Sequence, residues 1–175
     1  LSGPADVSPD PAQPLLPDEI VTLAHRVVEE NAAIGRTIAL AESCTGGLVA
    51  AALTEVAGSS AVLDRGFVTY SNAAKQEMLG VSADIIDAFG AVSIACVYAM
   101  AQGALARSKA DVAVAISGIA GPGGGTPNKP VGTVIFARAV RGEAKPEAEL
   151  KQFEEQDRAG VRRQATMCAL ELLLP

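Results

Sequence analysis

Apolar positions along the chain alternate between helical and strand periods. After Pro17-Asp18-Glu19, where proline suits a first turn and the acids complement the helix dipole, Ile20, Leu23, Val27 and Ile34 recur at helical spacing, and Gly35 is a natural stop. Thr37–Glu42 (TIALAE) reads as a short buried strand. A helix is expected from about Thr45 or Gly46 through Leu53, broken at Gly58-Ser59-Ser60. Gly66–Tyr70 reads as a second strand, with Ser71-Asn72 capping a helix over Ala73–Leu79 that Gly80 ends. A short helix near Ala83–Ala88 and a longer one over Ser93–Ser108 come next. Asp111–Ile116 (DVAVAI) is apolar, β-branched and bounded by turn signals, hence a buried strand. Further strands are expected over Val131–Val140 and roughly Glu147–Phe153. A last helix from near Asp157 carries Val161, Ala165, Cys168 and Leu172 on one stripe.

This alternation predicts an α/β fold, a three-layer α/β/α sandwich on a mixed, mostly parallel sheet. The late strands have no helix between them and should be antiparallel. Residues 1–16, rich in Pro, Ser, Gly and Asp without an apolar period, read as a disordered or surface-draped arm, leaving 17–175 as a single domain.

Composition narrows the function. With 49% hydrophobic and 19% charged residues the chain can bury a sizeable core, but aromatics are only 3% and Trp is absent, so base stacking has few platforms. A net charge of −6 repels phosphate backbones and anionic membrane surfaces, so neither nucleic acid nor membrane is the expected partner. One mononucleotide in a local pocket remains compatible. Cys44, Cys96 and Cys168 are odd in number and unpaired by motif, and the single His25 leaves no Cys/His set, so no metal and no cofactor are expected. Reduced thiols, no basic-then-apolar signal pattern and no apolar run of roughly 20 residues point to a cytoplasmic protein. Ala-rich helices suit a homo-oligomer.

Three constellations could carry chemistry. Ser43, in Ala41-Glu42-Ser43-Cys44-Thr45-Gly46-Gly47, sits where a strand gives way to a helix, the place where open α/β sheets bind ligands. Two readings stand for this turn: a helix cap with packing glycines, or a nucleophile beside the free amides of Thr45, Gly46 and Gly47. Cys44 has no His nearby and reads as an inert buried thiol. The second constellation, Asp64–Lys75, gathers Arg65, suited to a phosphate, with Tyr70, Asn72 and Lys75. Lys75 is either a solvated helix-surface cation or, desolvated, a neutral base toward serine. The third is the loop Ser117-Gly118-Ile119-Ala120-Gly121-Pro122-Gly123-Gly124-Gly125, either a flexible surface loop or a close backbone approach to a ligand. It matches neither a dinucleotide fingerprint nor a P-loop.

Taken together, AESCTGG, RGFVTYSNAAK, LARSKADVAVAISGIAGPGGG and KPVGTV resemble the CinA carboxy-terminal family, in the same order, over roughly residues 17–174. The resemblance implies hydrolysis of nicotinamide mononucleotide to nicotinic acid mononucleotide and ammonia by a Ser/Lys arrangement. Ser43 would be the nucleophile and Lys75 the general base; the oxyanion donors Thr45, Gly46 and Gly47 are expected from the turn itself and not from the resemblance. Arg65, Tyr70, Asn72, Ser117, Gly118 and Gly121 would surround the nucleotide. Where such chains usually read Gly-Asp-Arg before the last helix, this one reads Gln156-Asp157-Arg158, and Asp157 could equally be a plain cap. Rival readings are a non-catalytic nucleotide-binding module serving competence or DNA-damage responses, a hydrolase of a related metabolite, and a structural subunit.

Overall fold

The computed structural model describes residues 13–154 and 157–175. Residues 1–12 of the expected arm lie outside that range. Beyond them, the Leu15 amide donates to Glu55 Oε1 at 3.0 Å, and Leu16 rests against the core.

Among the described residues, six α-helices and five strands, with one short 3-10 helix (Ser59–Ala61) before β2, follow in the order α1 (Asp18–Ala33), β1 (Ile38–Glu42), α2 (Leu48–Thr54), β2 (Leu63–Val68), α3 (Asn72–Leu79), α4 (Ala83–Phe89), α5 (Ile94–Ala106), β3 (Val112–Gly118), β4 (Thr133–Val140), β5 (Glu147–Gln152) and α6 (Arg158–Leu172). The sheet order is β2-β1-β3-β4-β5. β1 runs parallel to β2 and β3, whereas β4 is antiparallel to β3 and β5, so the mixed sheet is parallel in its first half and antiparallel in its second.

Residue alternation along the strands builds two unlike faces. Ile38, Leu40, Val112, Val114, Ile116, Val134 and Phe136 face α1, α2 and α6, forming a core of large aliphatics. Ala39, Ala41, Ala113, Ala115, Ala137 and Ala139 face α3, α4 and α5, where Leu79, Ile86, Val97 and Met100 fill the space over a floor of methyl groups. A chain without Trp thus reaches close packing through aliphatic depth on one side and near approach on the other.

Several boundaries differ from the sequence reading: β3 runs on through Ser117 and Gly118, expected in the loop, β4 starts at Thr133 and not Val131, and three others have a clear physical cause. Ile34, expected on the α1 stripe, lies past the helix end and is 60% exposed. β2 starts three residues earlier than Gly66 and ends at Val68, because an edge strand exposed along most of its length carries little apolar pattern to mark it. α2 starts at Leu48 instead of Thr45 or Gly46. The reason is conformational: Gly46 and Gly47 have φ of +61° and +102°, so neither belongs to the right-handed helix, and Gly47 is the N-cap before Leu48.

Candidate active site

Because β2, β1 and β3 are parallel, their carboxyl ends share one edge of the sheet, the edge where such folds bind ligands. Ser43 follows β1 directly, and its amide donates to Ile116 O of β3 at 3.0 Å. Lys75 approaches from α3. Ser71 caps that helix by accepting from the Ala74 amide at 3.0 Å, which sets the rotation that turns Lys75 inward. Lys75 Nζ lies 3.1 Å from Ser43 Oγ and 2.7 Å from the Thr69 carbonyl oxygen.

Lys75 is 1% exposed, and no carboxylate lies within ion-pair distance of it among the described residues. Burial therefore pushes its pKa below the ordinary 10.5, outweighing the opposing pull of the nearby Cys96 and Cys44 thiols. A neutral amine donates one N–H to the Thr69 carbonyl and offers its lone pair to the Ser43 hydroxyl. That is the arrangement in which a lysine removes a serine proton. The solvated-surface reading of Lys75 fails on its burial. Cys44 lies beside Ser43, but burial pushes its thiol up to about 11, so it is un-ionised and a poor nucleophile at neutral pH.

The turn after Ser43 corrects the expected oxyanion donors. The Glu42 carboxylate is buried and accepts from the amides of Gly47 (3.0 Å), Val49 (3.2 Å) and Ala50 (2.9 Å). The Gly46 amide donates to Ser43 O at 3.0 Å. Gly46 and Gly47 therefore have no free N–H. The Thr45 amide finds no partner among the described residues, the Cys44 amide meets only its own thiol, and Cys44 lines the cavity described next.

A cleft of about 280 Å³ opens over Ser43 and Lys75. Tyr70, Asn72, Ser117, Gly118 and Gly121 are among the residues that line it. The Ser117 hydroxyl is already engaged, donating to Ala91 O at 2.9 Å. Part of the glycine richness serves the chain itself: a Cβ on Gly118 would stand 2.7 Å from a Val134 methyl. Arg65 is absent from the cleft. It belongs to the middle of β2, and its guanidinium pairs with Asp64 (2.6 Å) and donates to Arg107 O (2.9 Å).

The cation at the cleft is Arg158, whose role the sequence left open. It donates to Gly121 O at 2.7 Å and to the Tyr70 hydroxyl at 2.9 Å, joining the loop after β3 to the end of β2. Asp157 is the plain cap, accepting from the Gly160 amide at 2.7 Å. One signal pointed at Arg158: a cation in a first helical turn opposes the helix dipole, so its placement needs another reason.

Among the described residues no cluster of three or more His, Cys, Asp or Glu could hold a metal, all three cysteines are free, and no helix is long and apolar enough to cross a membrane.

Known proteins match this chain in both sequence and fold. The nicotinamide-nucleotide amidohydrolase PncC of Escherichia coli K12 is 52% identical over 156 residues, covering 89% of this chain and 93% of that protein. A CinA-like protein of Mycolicibacterium vanbaalenii is 55% identical over 139 residues, 79% of this chain but only 32% of that longer protein. The crystal structure of the competence/damage inducible protein CihA from Agrobacterium tumefaciens superposes with a TM-score of 0.89 at 48% identity, covering 92% of this chain and 97% of the other. The family model for the CinA C-terminal domain matches residues 20–175, and the chain belongs to that family.

Proposed function

We propose that this protein hydrolyses the carboxamide of nicotinamide mononucleotide, releasing ammonia and nicotinic acid mononucleotide, with Ser43 as nucleophile and Lys75 as base. The observation that carries the reading is the buried, counterion-free Lys75 amine 3.1 Å from Ser43 Oγ at the floor of a ligand-sized cleft. The substrate comes from the name borne by the 52% identical relative, which this chain covers almost completely.

Lys75 takes the Ser43 proton as Oγ bonds to the carboxamide carbon, and the amides of Cys44 and Thr45 receive the developing oxyanion. The tetrahedral species collapses with cleavage of the C–N bond. Lys75 returns its proton to the departing nitrogen, which leaves as ammonia. Water, deprotonated by the same amine, then opens the Ser43 ester. The amide of the residue after a nucleophile is a recurrent oxyanion donor on strand–turn–helix elbows, which favours Cys44 over the glycines.

Arg158 is the reading's phosphate contact in place of Arg65. Ammonia release is expected with nicotinamide mononucleotide, with unchanged rate in EDTA. Nicotinamide riboside, lacking the phosphate, should lose about 10- to 100-fold in kcat/KM, the value of one charge-assisted contact. Equal turnover of riboside and mononucleotide removes the phosphate contact, and no ammonia from either removes the hydrolase reading. Arg158→Ala should raise KM for the mononucleotide by about tenfold or more, whereas Arg65→Ala should leave it within about twofold. Steady-state kinetics of the two variants side by side decides between the arginines.

A further inference from the structure

The Ser43 turn is held from two sides. From within, the Glu42 carboxylate anchors the amides at the start of α2. From α6, Arg162 reaches back across the sequence: its Nε donates to Cys44 O at 3.1 Å and its Nη2 to Thr45 O at 3.2 Å. These are the carbonyls of the peptide units whose partners in the turn are the Thr45 and Gly46 amides. In a trans peptide the C=O and N–H point in opposite directions. Drawing the Cys44 carbonyl toward α6 therefore directs the Thr45 N–H away from α6. The Gly46 N–H is turned to Ser43 O at 3.0 Å, a bond that in turn fixes the Ser43–Cys44 peptide and the direction of the Cys44 N–H.

Glu42 does not reach these two peptide units, since its acceptors are spent on Gly47, Val49 and Ala50. The turn has two backbone bonds of its own, the Gly46 amide to Ser43 O at 3.0 Å and the Leu48 amide to Thr45 O at 3.2 Å, but among the described residues no backbone amide reaches the Cys44 carbonyl, and with left-handed φ at Gly46 that end of the turn still takes an external restraint. Arg162 supplies one through two points of a planar fork, a geometry lysine cannot reproduce. Its charge also stands beside the turn, where it opposes the upward shift of the Cys44 thiol. A hydrolytic oxyanion forming at the same amides feels the same field.

We infer that Arg162 is a positioning residue for the hydrolysis, orienting the Cys44 and Thr45 amides as oxyanion donors by holding the two carbonyls of the nucleophile turn. The inference rests on the Ser43 hydrolase reading and predicts an effect on the chemical step alone. Arg162→Met should lower kcat for nicotinamide mononucleotide by about 10- to 100-fold, less than deleting a donor outright, with KM within about twofold. Arg162→Lys, which keeps the charge and guards against a folding defect, should fall between Arg162→Met and wild type. The acid limb of the pH–rate profile, set by Lys75, should not move in either variant.

A second readout does not depend on the substrate. A fluorophosphonate bonds its phosphorus to Ser43 Oγ with loss of fluoride, the serine proton passing to Lys75, and places a phosphoryl oxygen where the oxyanion would form. Its labelling rate, followed by intact-protein mass, should fall in the same ratio as kcat. Variants that turn over and label at wild-type rates overturn the positioning role. So does a fall in kcat matched by a proportional rise in KM and a lower melting temperature, which marks a merely structural residue. If wild type labels but releases no ammonia, the substrate assignment fails and the labelling ratio still decides on Arg162. If wild type does neither, the hydrolase reading fails and this role falls with it.

Discussion

Ser43→Ala is expected to abolish ammonia release, lowering kcat by about 10³-fold or more while nicotinamide mononucleotide still binds. The substitution removes one oxygen, the hydroxyl that lies 3.1 Å from Lys75 Nζ. The backbone at this position is untouched, because the Ser43 amide still donates to Ile116 O and its carbonyl still accepts from Gly46. The fold should therefore lose only about 1 kcal/mol, the net value of one hydrogen bond. Cys44→Ala is the matching control. With its thiol pushed up to about 11 by burial, Cys44 contributes through its backbone amide and not its side chain, so turnover should stay within a few-fold of wild type. Ammonia assays on both variants, with calorimetric binding of the mononucleotide to Ser43→Ala, separate loss of chemistry from loss of the site. Normal turnover by Ser43→Ala ends the mechanism.

What the sequence revealed about this site follows the range of the interactions involved. Ser43 was legible because its position depends on one strand followed by one turn, and a hydrophobic run ending in AESCTGG displays both. Lys75 was half legible. Its spacing from the Ser71 cap placed it on the first turn of α3, but its burial depends on how α3 lies against α5. Arg65 shows how a residue type can mislead when its place on the strand is ignored. In a parallel strand only the carboxyl end faces the ligand edge, and Arg65 is five residues before Tyr70, about 16 Å along an extended chain.

Arg158 and Arg162 were hidden for a different reason. Each acts on a turn or loop distant in sequence, 37 residues away for Gly121 and 118 for Cys44, and beyond the dipole-opposing place of Arg158 nothing local names the partner. Glu42 was hidden within its own motif. As the last residue of a strand it carries no local sign of a partner, yet it saturates the α2 amides that would otherwise have been free to bind an anion. The fold was read more securely than the site because the two faces of the sheet are written in every second residue of β1, β3 and β4.

Lys75→Met should be as damaging as loss of the nucleophile, lowering kcat by about 10³-fold or more, because the base and the proton donor to the leaving ammonia are one amine. The wild-type rate should rise with pH through the Lys75 pKa, which burial holds below 10.5, and then level off. The same titration leaves a mark on stability that activity assays do not see. Unfolded, Lys75 takes up its proton at the ordinary 10.5; folded, only at a lower pH. Between those two values the unfolded chain binds the extra proton, so the Lys75 contribution to stability rises with pH, and below the folded pKa the full cost of burying the ammonium applies. Methionine fills a similar volume and has no proton to lose, though it leaves the Thr69 carbonyl without its 2.7 Å donor. That lost bond costs the same at every pH. The stability of wild type minus that of Lys75→Met should therefore increase as pH climbs toward 10.5, whatever its sign at neutrality. Urea unfolding of both proteins across that range measures it. A flat difference would mean that Lys75 titrates alike in the folded and unfolded chain, and the neutral amine on which proton removal from Ser43 depends would be lost with it.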